Sequence, residues 1–221
     1  IGIKMQIKDF NLKINQQLLL DNVSMSFANQ KLNLIIGRNG VGKTLLLDLI
    51  SDLDHNRPEN FHDFPKNSRI IYHSQGLPFI AEATVKDTIT LIGDLSEDSA
   101  ITMEHLPQKI RNNLNKPFGS LSMGERRYLT IWLFLQIERD LYIFDEPFAN
   151  LDLSVISDIL SLFYDKLDQG KQLIITSHQF DFLVPEKTQI IFIEDKQIKF
   201  NDSLTAFLAY YHSFGQAFDI Q

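Results

Sequence analysis

Eight consecutive residues, Gly37-Arg38-Asn39-Gly40-Val41-Gly42-Lys43-Thr44, have the composition and spacing of a loop that holds a polyphosphate. The three glycines let the backbone wrap around phosphate oxygens with its N–H groups turned inward, and Lys43 is long enough to reach β and γ phosphates. The Thr44 hydroxyl is a hard oxygen donor suited to Mg²⁺. A second group closes the apolar run Leu141-Tyr142-Ile143-Phe144 with two carboxylates, Asp145 and Glu146. Acidic residues also end strands for purely structural reasons. Beside a polyphosphate, Asp145 becomes a Mg²⁺ partner and Glu146 a general base for an attacking water. A third group, Leu121-Ser122-Met123-Gly124-Glu125, opens a helix. Ser122 and Glu125 have the spacing of a capping box, and the same helix N-terminus, with its hydroxyl and exposed N–H groups, attracts anions. A γ-phosphate presented by a second subunit would fit there.

These groups need elements to position them. The phosphate loop leaves an apolar strand, Leu32–Ile36, and enters a helix over Lys43–Ser51 whose apolar residues recur at helical spacing. Short alternating runs from Met5 to Leu34, with the polar turn Asn15-Gln16-Gln17, predict an antiparallel β region. Residues 52–68 are polar and Pro-containing, a surface loop with room for one short strand, and Arg69–Ser74 is a further strand. Helical periodicity then dominates: Val85–Ile92, Leu106–Leu114 and Glu125–Glu138 predict a small helical lobe, broken at Pro107 and Pro117. Strands at Leu141–Phe144 and Gln172–Thr176 flank a helix over Ser154–Leu167. A hairpin turns at Glu194-Asp195-Lys196, and an amphipathic helix spans Ser203–Tyr211. Such alternation predicts an α/β fold with a mostly parallel sheet of the P-loop type. The expected organisation is a single domain over 5–221: an antiparallel β subdomain at 5–34, a nucleotide-binding core at 35–76 and 139–200, a helical subdomain at 77–138, and a closing helix and tail at 201–221. Residues 1–4 precede Met5, taken as the natural start, and are left out of this scheme.

Composition limits the function classes. The chain has 221 residues, 44% of them hydrophobic and 22% charged, which excludes disordered and collagen-like readings. Its longest apolar run, Tyr128–Ile137, is about half of the ~20 residues that a membrane-spanning helix needs. With no cysteine there is neither a disulfide nor a thiolate nucleophile, and the expected setting is cytosolic. A net charge of -7 repels phosphate backbones, so no nucleic-acid partner is expected. Trp132 and Phe134 read as core, and the histidines and aspartates at 54, 55, 62 and 63 as solvated loop.

Taken in chain order, the motifs resemble the ATP-binding cassette (ABC) ATPases, whose hallmark is a Leu-Ser-Gly-Gly-Gln signature between two nucleotide motifs. The resemblance runs from Met5 to about Phe200. It implies that Gln75, in Tyr72-His73-Ser74-Gln75, contacts Mg²⁺ or the lytic water, and that Asp152, in Asn150-Leu151-Asp152, lies at a dimer interface. It implies that His178, after Gln172–Thr176, is a switch histidine for the γ-phosphate. The residue-level alternatives are a loop glutamine, a helix N-cap and a solvated histidine. Two departures stand out. Met123 and Glu125 replace the usual Gly and Gln of the signature, leaving Ser122 and Gly124 as its best-preserved phosphate contacts. Counting back from Leu20-Asp21-Asn22-Val23 places Ile14 where the family stacks adenine on an aromatic ring. Losing the ring forfeits about 1 kcal/mol, which predicts weaker nucleotide binding and poor base discrimination.

The implied activity is ATP hydrolysis, with Mg²⁺, by a head-to-tail dimer with a second copy or a paralogous ATPase. The implied partners are separate transmembrane permease subunits, with the chain peripheral on the inner face of the cell membrane. Export is favoured over import, because the stretch after His178 is short for an appended regulatory domain. The alternatives are a related ATPase acting on nucleic acid or ribosomes, and an unrelated P-loop kinase that would leave Ser122 and His178 unexplained. Leu77-Pro78-Phe79-Ile80 is either a groove for a partner helix or part of the core of the helical lobe.

Overall fold

A computed structural model describes residues 4–74, 79–95 and 101–219. Gln75, Leu77 and Pro78 lie outside the described residues. The elements are β1 (Gln6–Ile14), β2 (Gln17–Ser26), β3 (Leu32–Gly37), α1 (Lys43–Ser51), β4 (Phe61–His62), β5 (Ile70–His73), α2 (Val85–Leu95), α3 (Gln108–Arg111), α4 (Met123–Gln136), β6 (Leu141–Phe144), α5 (Leu153–Asp168), β7 (Gln172–Thr176), β8 (Thr188–Glu194), β9 (Gln197–Ser203), α6 (Leu204–Tyr211) and α7 (Phe214–Asp219).

The larger sheet has the order β5-β6-β7-β3-β8-β9. All its pairs are parallel except β8 with β9. Its inner strands are apolar runs because both faces are covered. Every residue of β3 and β6 is buried. Leu32, Leu34 and Ile36 pack with Phe144, Ile159, Phe163 and Phe192 on the face that α5 covers. Ile35 turns the other way, onto Leu46, Leu47 and Ile50 of α1 and Phe27 near the end of β2. Each such side chain contributes about 1.5–3 kcal/mol by leaving water. Asn33 interrupts this pattern without penalty. Its fully buried amide donates to the Leu173 and Ala28 carbonyls (3.1 and 3.0 Å) and accepts from the Ala28 N–H (2.7 Å).

The second sheet is antiparallel, in the order β2-β1-β4. Asn15 and Gln16 turn the β1–β2 hairpin with φ of 44° and 70°, as a tight two-residue turn demands. This sheet also takes up a strand from beyond the first 34 residues: β4 pairs Phe61 with Ile7 and His62 with Gln6. The Phe61 ring stands edge-on to Phe10 at 5.0 Å, and this contact draws the loop segment onto the sheet.

A third cluster, with Val85, Ile89, Leu106, Ile110, Phe118, Leu121, Leu129 and Trp132, joins α2 and α3 to one side of α4. The helix expected over Leu106–Leu114 shrinks to α3. Pro107 bars an earlier start, and the Asn113 amide turns back to the Lys109 carbonyl (2.9 Å), competing with further backbone turns. After α6, His212 adopts φ 63° and a further short helix, α7, follows where only a tail was expected.

The sheet order explains the site. β6, β7 and β3 are neighbours and parallel, so the segments leaving their carboxyl ends emerge side by side. These segments carry Asp145 and Glu146, His178, and the phosphate loop, respectively.

Candidate active site

The phosphate loop closes β3 and opens α1. Gly42 caps α1 at φ 103°, a conformation that strains an L side chain, and a Cβ there would lie 3.0 Å from Leu12. A Cβ on Gly37 would collide with the Ile193 carbonyl at 2.6 Å, so only glycine lets the loop pass β8 this closely. Lys43 is buried, and its ammonium donates to the carbonyls of Gly37 (2.8 Å) and Arg38 (3.2 Å). Burial lowers its pKa, opposed by the nearby carboxylates of Glu146 and Asp145. An ammonium whose hydrogen bonds go to two neutral carbonyls can exchange them for charged phosphate oxygens, which are stronger acceptors.

Asp145, at the end of β6, is buried with both oxygens engaged. The Thr44 hydroxyl donates to Oδ2 (2.7 Å) and the Thr176 hydroxyl donates to Oδ1. The Thr176 oxygen in turn accepts from the Glu146 N–H (2.9 Å). Glu146 sits at φ 50°, unusual for a residue with a Cβ. Its carboxylate meets His178 Nε2 at 3.3 Å. Burial raises the Glu146 pKa, opposed by His178 and Lys43 and reinforced by Asp145. A carboxylate tuned upward beside a histidine and a lysine has the character of a general base. The donor set of Thr44 and Asp145, a hydroxyl and a carboxylate in contact, suits a small hard cation such as Mg²⁺.

A cleft of ≈ 560 Å³ is lined by Asn39, Gly40, Gly42, Lys43, Thr44, Asp145 and Glu146 together with Ile14, Gln17 and Leu19. Ile14 is 37% exposed, so the residue assigned by counting does share the cleft with the phosphate loop. Of the other loop residues, Val41 packs into the core and the Arg38 side chain turns to α7, where it donates to the Phe218 carbonyl (2.8 Å).

The third group stands apart. Ser122 and Gly124 line a different cavity of ≈ 410 Å³ between α3, α4 and α5. The capping box is fully formed: the Ser122 N–H donates to Glu125 Oε2 (2.8 Å) and the Glu125 N–H to Ser122 Oγ (3.2 Å). Asn113 donates to Glu125 Oε1 (3.1 Å), and the Ser122 amide leads in holding this carboxyl below its usual range. The helix N-terminus therefore already carries an internal anion. Gly124 has a packing role as well, since a Cβ would press on Val155 of α5 at 3.0 Å. Asp152 occupies the N-cap position of α5 without a side-chain cap bond, exposed to solvent.

One residue of the site was missed by motif reading. Thr176 ends an apolar strand two residues before His178, and a polar side chain there was the available signal. Gln17 and Leu19, in the cleft wall, carry no pattern that would mark them.

A family model described as ABC transporter matches residues 20–149, more than half of the chain. The chain belongs to the ABC transporter family. It is similar to the cytochrome c biogenesis ATP-binding export protein CcmA of Aromatoleum aromaticum, at 29% identity over 76% of this chain and 86% of that protein. It is also similar to the manganese transport system ATP-binding protein MntB of Listeria monocytogenes, at 25% identity over 88% of each. A solved structure titled as the ATP binding subunit of an ABC transporter superposes with a TM-score of 0.73, at 20% identity, over 95% of this chain and 94% of that one. A nucleotide-free ATP-binding cassette does so with a TM-score of 0.76, at 17% identity, over the full length of both chains. The chain is thus an ATP-binding, ATP-hydrolysing subunit of an ABC transporter, with the fold of that family. Among the described residues no helix is long and apolar enough to cross a membrane.

Proposed function

We propose that this ABC subunit powers export by closing on ATP against a second copy of itself or a paralogue, and reopening after hydrolysis. The observation that carries the reading is the meeting of Lys43, Thr44, Asp145, Glu146 and His178 at the carboxyl edge of the sheet, with Thr44 to Asp145 at 2.7 Å and Glu146 to His178 at 3.3 Å. Lys43 exchanges its two carbonyl partners for β and γ phosphate oxygens. Thr44 and Asp145 would hold Mg²⁺, with Gln75 assigned to the same ion, which would supply positive charge beside the phosphates. Glu146 accepts the proton of the attacking water at its carboxylate. His178 orients that carboxylate and faces the γ-phosphate. Ser122 and Gly124 line a separate cavity of the same chain, which supports their serving the nucleotide of a second subunit, with Asp152 at the same interface. The work of closure is passed to membrane permease subunits, which places the protein on the inner face of the cell membrane.

Support for export comes from the similarity to CcmA, named as an export protein, whereas MntB belongs to a manganese transport system. The test is purification of Glu146→Gln from gently solubilised membranes with Mg-ATP. Co-purification of a polytopic membrane protein whose transport in vesicles runs outward is the expected result. Recovery of a soluble dimer alone, or of ribosomes, would overturn the reading in favour of the related ATPases that act away from membranes.

A further inference from the structure

Helix α7 contacts both of the segments that carry Lys43 and His178. Arg38, inside the phosphate loop, donates through Nη2 to the Phe218 carbonyl of α7 (2.8 Å), and its guanidinium lies 3.8 Å from Glu194 at the end of β8. The Arg38 carbonyl is one of the two acceptors of the Lys43 ammonium, so the peptide that α7 tethers by its side chain is the peptide that holds Lys43. In the other segment, Phe180, two residues beyond His178, lies face to face with Phe214 of α7, ring centroids 3.8 Å apart and planes 9° from parallel. Phe214 rests on Phe207 of α6 (5.1 Å), and Phe218 stands edge-on to Phe192 of β8 (5.2 Å). The ring ladder thus ends on the central sheet, not in solvent.

The segment after His178 needs such a support. Ser177 bonds the Gln179 N–H and carbonyl through its hydroxyl (2.8 and 2.9 Å), but Asp181 and Phe182 are exposed and Phe182 is in the left-handed region at φ 61°. Phe180 and Leu183 are the apolar residues of this segment that pack on the core.

We propose that α7 is a brace for catalysis, in which Phe214 positions the His178 segment through Phe180 and Phe218 positions the phosphate loop through Arg38. These are positioning side chains: the Phe180, Phe214 and Phe218 rings and the Arg38 guanidinium act through His178 or Lys43. The two arms separate kinetically. The Phe214 arm governs where His178 meets Glu146, a relation that matters to turnover. The Arg38 arm governs the loop that receives the phosphates, which bears on nucleotide binding. The inference rests on the assignment of Lys43, Glu146 and His178 made above.

The experiment is steady-state ATPase kinetics of the full chain carrying Phe214→Ala, Phe214→Leu, Phe214→Tyr, Arg38→Ala or Arg38→Lys, each assayed well below its own melting temperature. Misplacing a catalytic group by ~1 Å costs up to about 10²-fold, so Phe214→Ala and Phe214→Leu should lower kcat by about 10-fold with KM little changed. Phe214→Tyr, which keeps the stacked ring, should restore kcat. Leucine would satisfy a merely structural role, so a leucine variant with wild-type kcat overturns the brace even if the alanine variant fails to fold. Arg38→Ala should raise KM, and Arg38→Lys, which can still donate to the Phe218 carbonyl, should recover part of it; wild-type KM in Arg38→Ala overturns that arm. Glu146→Gln runs alongside: full turnover there overturns the site assignment itself, whereas loss of turnover there with normal Phe214 and Arg38 variants overturns only the brace.

Discussion

Thr176→Val tests the logic of the site most directly, because the change keeps shape and removes only a hydroxyl. Thr176 has no exposed surface, donates to Asp145 Oδ1 and accepts the Glu146 N–H at 2.9 Å. A hydrogen bond to a charged group contributes about 1.5–3 kcal/mol, and a buried N–H left without a partner costs about 1–3 kcal/mol. Because the two bonds share one oxygen they do not simply add, and a net loss of about 2–4 kcal/mol is expected. Against a total stability of about 5–15 kcal/mol for a domain, that loss is measurable by equilibrium urea unfolding, and corresponds to roughly 5–15 °C in Tm. Turnover should fall further than stability implies, by at least about 10-fold, because the bond that holds Glu146 at φ 50° is gone and its carboxylate drifts from His178. Thr176→Ser, which restores the hydroxyl, should recover both. A valine variant within about 0.5 kcal/mol of wild type and with full turnover would refute the reasoning, since surface-like tolerance is incompatible with a buried polar hub.

Three further outcomes are expected. Ile14→Tyr supplies the missing ring and should tighten ATP binding by roughly 2- to 10-fold in calorimetry, the equivalent of about 0.5–1.5 kcal/mol; unchanged affinity would remove Ile14 from the base-contact role. Glu125→Gln keeps one acceptor oxygen for the Ser122 N–H, gives up the bond from Asn113 and removes the internal anion at the start of α4, and light scattering in a Glu146→Gln background should show dimers at lower ATP concentration. His73 is buried against Phe134 and Phe144, its Nδ1 without a partner among the described residues, and burial, aided by Arg127, lowers its pKa from 6.5 to about 4. A base with a depressed folded-state pKa contributes stability that is whole above the unfolded value near 6.5 and lost as pH falls through about 4. Wild type should therefore lose about 3 kcal/mol more than His73→Phe between neutral pH and pH ~4, and parallel pH profiles would exclude His73 as the cause.

What the sequence determined by itself is local. The apolar run Leu32–Ile36, the glycines and the periodic Lys43–Ser51 specify strand, loop and helix without help from the rest of the chain, because each depends on residues a few positions apart. The same holds for the carboxylates after Leu141–Phe144 and for the capping box of Ser122 and Glu125. The turn at Asn15 and Gln16 was equally legible, since a polar run opened by Asn, which tolerates positive φ, interrupts the alternation there. Tertiary structure decided which strand ends became neighbours. Placing β7 between β6 and β3 brings Thr176 to Asp145 and His178 to Glu146, pairs 31 and 32 residues apart in sequence. It also decided that the Arg38 side chain leaves the cleft for α7, 180 residues away, and that β4 joins the small sheet. No short-range pattern encodes such pairings. They follow from burying two apolar faces of one sheet at native packing density, a condition that only the whole chain can satisfy.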